Sequence, residues 1–417
     1  MTRTAPLQVA NTIADLLADP EDVSSNRQQL AYGPAGIALL HIERAAAGFS
    51  SWQRARDWLA AASGPVTIGP DSHPFYGVPA LAHAVARAAD HKPSAYQGTL
   101  ARMDGQIQAD VQRRLDAAHR RIDAGRLPQL AEFDAIRGLV GYGAYLLHRA
   151  PLSLTLTKVL HYCTRLTEPV TVNGEDLPGW WTDSGPAGRP DPRFPGGHGN
   201  TGMAHGISGV LALLALAKRH GYTVSGHHAA LRRILAWLDR WREDDPSGAT
   251  WPYWVTRAEP REGRPQPSAP RRPSWCYGTA GHARAQQLAA LALRDTRRQI
   301  HAETTLTAAL LPDSDQLKAT TDHGLCHGFA GLAHIADRAA VDARPLTARQ
   351  LRAAIPALLD AVCPPEADPA AVANALVHDE TAGPGFLNGA AGVALALTEA
   401  ASGTPPISSW DACLLIA

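Results

Sequence analysis

The chain has 417 residues, and its 39 Lys and Arg balance 39 Asp and Glu, leaving no formal charge. A neutral chain lacks the basic footprint of a nucleic-acid binder, so no nucleic acid is expected among its partners. Apolar residues at 45% and charged residues at 19% supply a sizeable core and exclude a disordered chain.

From the N-terminus, Met1 to Gln8 shows no apolar run behind its charge, so no secretory signal is expected. The most apolar stretch, Val210 to Ala217, is far too short to span a membrane. The five cysteines are odd in number and thinly spread, which argues against a disulfide framework. These features predict a soluble cytoplasmic protein with reduced thiols.

A repeat then runs along the chain: a residue, Gly, two residues, a small residue, and an apolar helical run. It starts at Tyr32-Gly33-Pro34-Ala35-Gly36 and returns at Tyr76-Gly77-Val78-Pro79-Ala80 and Arg137-Gly138-Leu139-Val140-Gly141. It continues at His205-Gly206-Ile207-Ser208-Gly209, Tyr277-Gly278-Thr279-Ala280-Gly281, His327-Gly328-Phe329-Ala330-Gly331 and Asn388-Gly389-Ala390-Ala391-Gly392. Successive copies lie roughly 45 to 70 residues apart, room for two helices and their connections. The first Gly suits a turn that needs positive φ or close approach, and the second a helix start packed tightly on a neighbour.

The runs after each turn carry little charge on any face, which predicts helices buried nearly all round. Between them, Ala109 to Arg126, His228 to Glu243 and Ala283 to Thr305 are amphipathic and read as outer helices. An open solenoid would need polar end caps, yet the first repeat is apolar and the last ends in LLIA. The expected fold is therefore all-α: an α/α toroid of seven inner and seven outer helices, a single domain over residues 1–417. Two long Pro- and Gly-rich loops, at 171–200 and 244–274, each precede a chemically rich turn and are expected to wall the cavity mouth.

Within the aligned turns, Cys276 and Cys326 both stand two residues before the first Gly, and His327 stands immediately before it. Equivalent residues on adjacent turns should converge, and two thiolates with one imidazole leave a fourth tetrahedral position open on a catalytic zinc. Thiolate ligands offset the charge of the ion, which suits it to hold a further thiol as a nucleophilic thiolate. Cys163, Cys363 and Cys413 fall outside the turns and read as small buried apolar residues. His205 occupies the place of His327 with Ala204 before it, and is a candidate for proton transfer. Arg272 could stabilise developing negative charge or be a surface loop cation. Asp134, three residues before Arg137, could be a functional group or simply a helix cap. Trp275 and Tyr277 could line the cavity or serve as packing.

Three blocks, Asn200-Thr201-Gly202-Met203-Ala204-His205-Gly206, Ser274-Trp275-Cys276-Tyr277-Gly278 and Cys326-His327-Gly328, resemble the signatures of the LanC-type lanthipeptide cyclases. Phe386-Leu387-Asn388-Gly389 and the C-terminal Trp410-Asp411 are similar too, so the resemblance spans essentially the whole chain. It implies a stand-alone class I cyclase with one Zn2+ per chain on Cys276, Cys326 and His327. Its functional Asp, His, Arg and Tyr match Asp134, His205, Arg272 and Tyr277. The implied reaction is intramolecular Michael addition of peptide Cys thiols to dehydroalanine or dehydrobutyrine. The implied partners are a dehydrated precursor peptide with leader and core, a separate dehydratase and a membrane exporter, which would make the protein peripheral at the membrane. A small domain inserted in some members is expected to be reduced or absent at 89–130. Competing readings are a zinc-dependent thiol-alkylating enzyme on a related toroid, such as a protein prenyltransferase, and a zinc protein that captures glutathione.

Overall fold

A computed structural model describes residues 4–20, 27–245, 248–259 and 271–417. Within the second long loop, residues 246–247 and 260–270 thus lie outside the described residues. The chain divides into two compact units, Met1–Ile107 with Thr320–Asp411 and Gln108–Ala319 with Ala412–Ala417.

Each of the seven glycine turns opens a helix. The first unit holds the first, second, sixth and seventh of these inner helices: Pro34–Ala46, Val78–His91, Phe329–Asp342 and Ala390–Ser402. The second unit holds the third, fourth and fifth: Leu139–Arg149, Ile207–Arg219 and Thr279–Leu293. Their burial follows from their composition. In the fourth, every residue from Ile207 to Ala217 is buried, and each fully buried Leu, Ile or Val contributes about 1.5–3 kcal/mol relative to exposure.

Outer helices lie alongside. Trp52–Ala62 packs on the first inner helix and Pro345–Val362 on the sixth. In the second unit, Leu154–Leu166, His227–Arg240 and Thr296–Ala309 pack on the third, fourth and fifth. The seventh inner helix takes its companion from the other end of the chain, Thr4–Leu16, and also packs on the first inner helix. An open solenoid keeps its first and last repeats apart; here they touch.

The turns themselves are joined by backbone hydrogen bonds. In the second unit Ala135 N donates to Ala204 O at 3.0 Å and Met203 N to Cys276 O at 2.8 Å, linking turns three, four and five. In the first unit Cys326 N donates to Leu387 O at 3.0 Å and Phe386 N to Ala31 O at 2.8 Å, linking turns six, seven and one. Glycine is required there for closeness. A Cβ on Gly281 would overlap Trp275 O, and one on Gly392 would overlap Phe386 O. Positive φ is the exception: among the seven first glycines only Gly77, at +74°, adopts it, while the others are extended at their helix N-caps.

Two sequence expectations need correction. The segment Ala283 to Thr305 is not one outer helix, because the chain breaks at Arg294, φ +56°, and restarts under an Asp295 cap whose side chain accepts from Arg298 N. Its first half belongs to the fifth inner helix. Polar residues there gave the amphipathic look, but Arg284, Gln286 and Gln287 are buried. Arg284 binds Ile416 O at 2.8 Å and Gln287 Oε1 at 2.6 Å, and Gln287 reaches Glu303 at 3.1 Å. Trp275, a candidate cavity-lining residue, is 2% exposed and donates to Leu414 O, so it packs rather than lines. At 89–130, residues Pro93–Asp123 form a single helix of 31 residues.

Candidate active site

Asp134 ends the short helix Leu130–Phe133 just before the third glycine turn. Its buried carboxylate does two jobs at once. Oδ1 accepts from the backbone N–H of Arg137 at 2.5 Å and of Gly138 at 2.9 Å, fixing the turn. Oδ2 accepts from His205 Nδ1 at 2.7 Å, on the neighbouring turn. The carboxylate sets the tautomer: with the proton held on Nδ1, Nε2 is the nitrogen presented for exchange. The ring stays about one-third exposed beside a carboxylate that is 1% exposed, a geometry suited to general acid–base work.

Tyr277 stacks on His205 with centroids 6.2 Å apart. Burial pushes its phenol up to about 12, with the nearby Cys276 and Asp134 adding to the rise. It therefore keeps its proton at neutral pH and remains a donor. Asn200 Nδ2 contacts its hydroxyl at 3.4 Å. Cys276 is half-buried, and its thiol donates to Ser274 Oγ at 3.6 Å.

The two long loops meet over this place. His198–Asn200 pairs antiparallel with Trp254–Thr256, so Asn200 lies opposite Trp254. The pairing carries Tyr253 to 5.3 Å and Trp254 to 6.0 Å from the Tyr277 ring. Beneath them Leu177, Trp181, Trp241 and Val255 form a core of their own. Arg272 is half-buried just before the Cys276 turn, close enough to Tyr253 for its charge to oppose the rise that burial imposes on that phenol.

In the first unit Cys326 is half-buried, unlike the buried Cys163, Cys363 and Cys413. Beside it His327 Nδ1 donates to Asp322 Oδ2 at 2.9 Å. Among the described residues no three His, Cys, Asp or Glu side chains form a group able to hold a metal ion. No described helix is long and apolar enough to cross a membrane.

The family model for lanthionine synthetase C-like proteins matches residues 24–415. The chain belongs to that family. The nisin biosynthesis protein NisC of Lactococcus lactis subsp. lactis is 29% identical over 144 residues, 34% of this chain and 33% of that protein. The match thus spans one third of that relative's own length. A solved structure titled nisin cyclase superposes with a TM-score of 0.78 at 18% identity, covering 98% of this chain and 97% of the other. That likeness establishes the fold as the helical toroid.

In this LanC-like chain, Asp134, His205, Tyr277 and Cys276 stand together in the second unit, while Cys326 and His327 belong to the first. Sequence reasoning did not single out Asn200, Tyr253, Trp254 or Asp322. The strand pairing that aims the run Trp251-Pro252-Tyr253-Trp254 at Tyr277 has no local signal in the sequence. Asp322 precedes its histidine by five residues, a spacing that matters only once the turn is folded.

Proposed function

We propose that this LanC-like chain is a lanthipeptide cyclase, closing lanthionine and methyllanthionine rings in a dehydrated precursor peptide. The observation that carries the reading is the Asp134–His205 pair, 2.7 Å apart, on a turn hydrogen-bonded to that of Cys276. A histidine poised by a buried carboxylate beside a half-exposed thiol is the equipment of proton transfer next to sulfur chemistry.

In chemical type, two thiols and an imidazole suit one zinc ion per chain, and it is their kind and their place in the repeat, not a grouping seen in the structure, that support this reading. Cys276 and Cys326 hold the same place in their turns and are the two half-exposed cysteines, whereas burial pushes Cys163 and Cys363 up to about 12. His327, oriented through Nδ1, offers Nε2. When bound by Cys276, Cys326 and His327, zinc would supply a Lewis acid that favours the thiolate form of the incoming thiol. In the reaction the S–Cβ bond forms while the Cα=Cβ pair moves into the carbonyl as an enolate. His205 delivers a proton to Cα from Nε2, and Asp134, on Nδ1, stabilises the imidazolium until that proton leaves. Tyr277 donates its O–H toward the enolate oxygen, and Arg272 offsets the charge. Tyr253, Trp254 and Asn200 hold the Tyr277 ring against His205. The thiol proton lost and the Cα proton gained cancel, so ring closure leaves the peptide mass unchanged.

In this reading the whole chain, 1–417, works in the cytoplasm as one catalytic domain. A separate dehydratase supplies the dehydro residues, and association with an exporter would bring the protein to the membrane. The test uses a peptide bearing one cysteine and one dehydroalanine. It is incubated with the protein, treated with N-ethylmaleimide and weighed by mass spectrometry. Cyclisation removes the maleimide adduct. Persistence of the adduct with zinc-replete protein would overturn the reading.

A further inference from the structure

His205 and His327 occupy the same position in their turns, immediately before the first glycine, and each has a carboxylate on Nδ1. The carboxylates come from different places. Asp134 reaches His205 from the preceding turn, whereas Asp322 reaches His327 from within its own, five residues upstream. Backbone bonds hold that segment in place: Phe329 N donates to Asp322 O at 3.0 Å, Ala330 N to His323 O at 3.1 Å and Gly328 N to Gly324 O at 3.0 Å. A Cβ on Gly328 would run into the backbone of Asp322, His323 and Gly324. Asp322 therefore approaches the imidazole from a loop with little freedom to retreat.

We propose that Asp322 is a positioning residue for metal binding, fixing the His327 ring in the orientation and tautomer that present Nε2. The inference rests on the zinc reading above and extends it to a side chain outside the Cys-Cys-His set. A carboxylate hydrogen-bonded to a ligating histidine typically changes metal affinity by about 10–100-fold. Asp322 is about 40% exposed and His327 about 24%, so solvent screens the pair and the lower half of that range applies.

The experiment measures zinc affinity of the full-length chain by competition with a chromophoric chelator. It compares the unaltered protein, Asp322→Asn, Asp322→Ala and Cys276→Ala. Asp322→Asn keeps an acceptor for Nδ1–H without the charge, and Asp322→Ala removes both. The expected order is unaltered, then Asn, then Ala, with a roughly tenfold loss at the end and no change in the melting temperature of the metal-stripped chain. The visible absorption of the cobalt-substituted forms should shift in the same order, which a purely structural role would not cause. Equal affinities for the unaltered protein, Asn and Ala variants, with Cys276→Ala impaired, would overturn this inference and leave the cyclase reading standing. If Asp322→Ala does not fold, the Asn variant alone decides, and parity with the unaltered protein overturns the inference. A failure of the unaltered protein to bind zinc would overturn both.

Discussion

Asp134 touches His205 at 2.7 Å while its other oxygen caps the turn that carries it, so one carboxylate ties loop geometry to imidazole orientation. The two roles separate by mutation. Asp134→Asn retains an oxygen for the backbone N–H groups but offers no charge to an imidazolium, so cyclisation should fall about 10²–10⁴-fold with little loss of stability. Asp134→Ala should add roughly 1 kcal/mol of destabilisation from the lost cap. His205→Gln should match the Asn variant in rate and keep its zinc, as measured by elemental analysis. A zinc-free His205→Gln protein would show that the residue is a ligand instead.

Thiol chemistry should divide the five cysteines. Burial raises Cys163 and Cys363 to about 12, which leaves almost no thiolate at pH 8. Cys276 and Cys326 are half-exposed. Iodoacetamide on the native protein, read by peptide mapping, should modify Cys276 and Cys326 once a chelator is present and spare the others. Added zinc should protect the same two. Labelling of Cys163 ahead of Cys276 would contradict the assignment.

The turns and inner helices were legible because one requirement repeats seven times: a small residue where two backbones meet, followed by a run of largely apolar side chains. The register of Cys276, Cys326, His327 and His205 came from that repetition. What escaped depends on partners distant in sequence. Arg284 and Gln287 read as a solvent face because nothing nearby announces that Ile416 and Glu303 will receive them. The choice between cap and functional group for Asp134 was unanswerable from the chain alone, since its two oxygens serve both. Tyr253 and Trp254 reach Tyr277 through a strand pair whose halves are over fifty residues apart.

Glycine substitutions should have opposite signs in the two settings. Gly281 has no room for a Cβ against the Trp275 carbonyl, a backbone atom that cannot swing aside. Gly281→Ala should therefore cost about 1–3 kcal/mol or more, the range for overpacked cores. Gly98 lies in the helix Pro93–Asp123 with nothing within 4 Å of a built Cβ. Gly98→Ala should stabilise by about 0.5–1 kcal/mol through helix propensity. Urea unfolding of the pair checks both, and a stable Gly281→Ala protein would remove the packing argument for the repeat.

The strongest pH signature lies away from the proposed chemistry. His334, on the sixth inner helix and 1% exposed, meets Asp411 at 2.9 Å and Glu399 at 2.6 Å, and its ring stacks on Trp410. Arg338 holds the other side of Asp411 at 2.7 Å. Burial alone would lower the imidazole, but the charges of Glu399 and Asp411 outweigh it and hold His334 at about 9. Burial pushes Glu399 up to about 7 despite His334, and Asp411 is depressed because Arg338 and His334 overcome its own burial. His334 thus binds its proton more tightly folded than unfolded. Its contribution is complete below its ordinary value of 6.5, declines as pH rises, and is lost beyond about 9. Glu399 acts in the same direction at lower pH, between its ordinary 4.5 and about 7. Asp411 acts oppositely, stabilising above its ordinary value and losing that contribution as acid protonates it. Urea unfolding from pH 6 to 9.5 should show the native protein weakening through that alkaline window. His334→Gln should be less stable at pH 6, because Asp411 and Glu399 then lose a buried partner, and its disadvantage should narrow toward pH 9. A disadvantage that stays constant across the window would mean that His334 is neutral in the fold and serves by packing against Trp410.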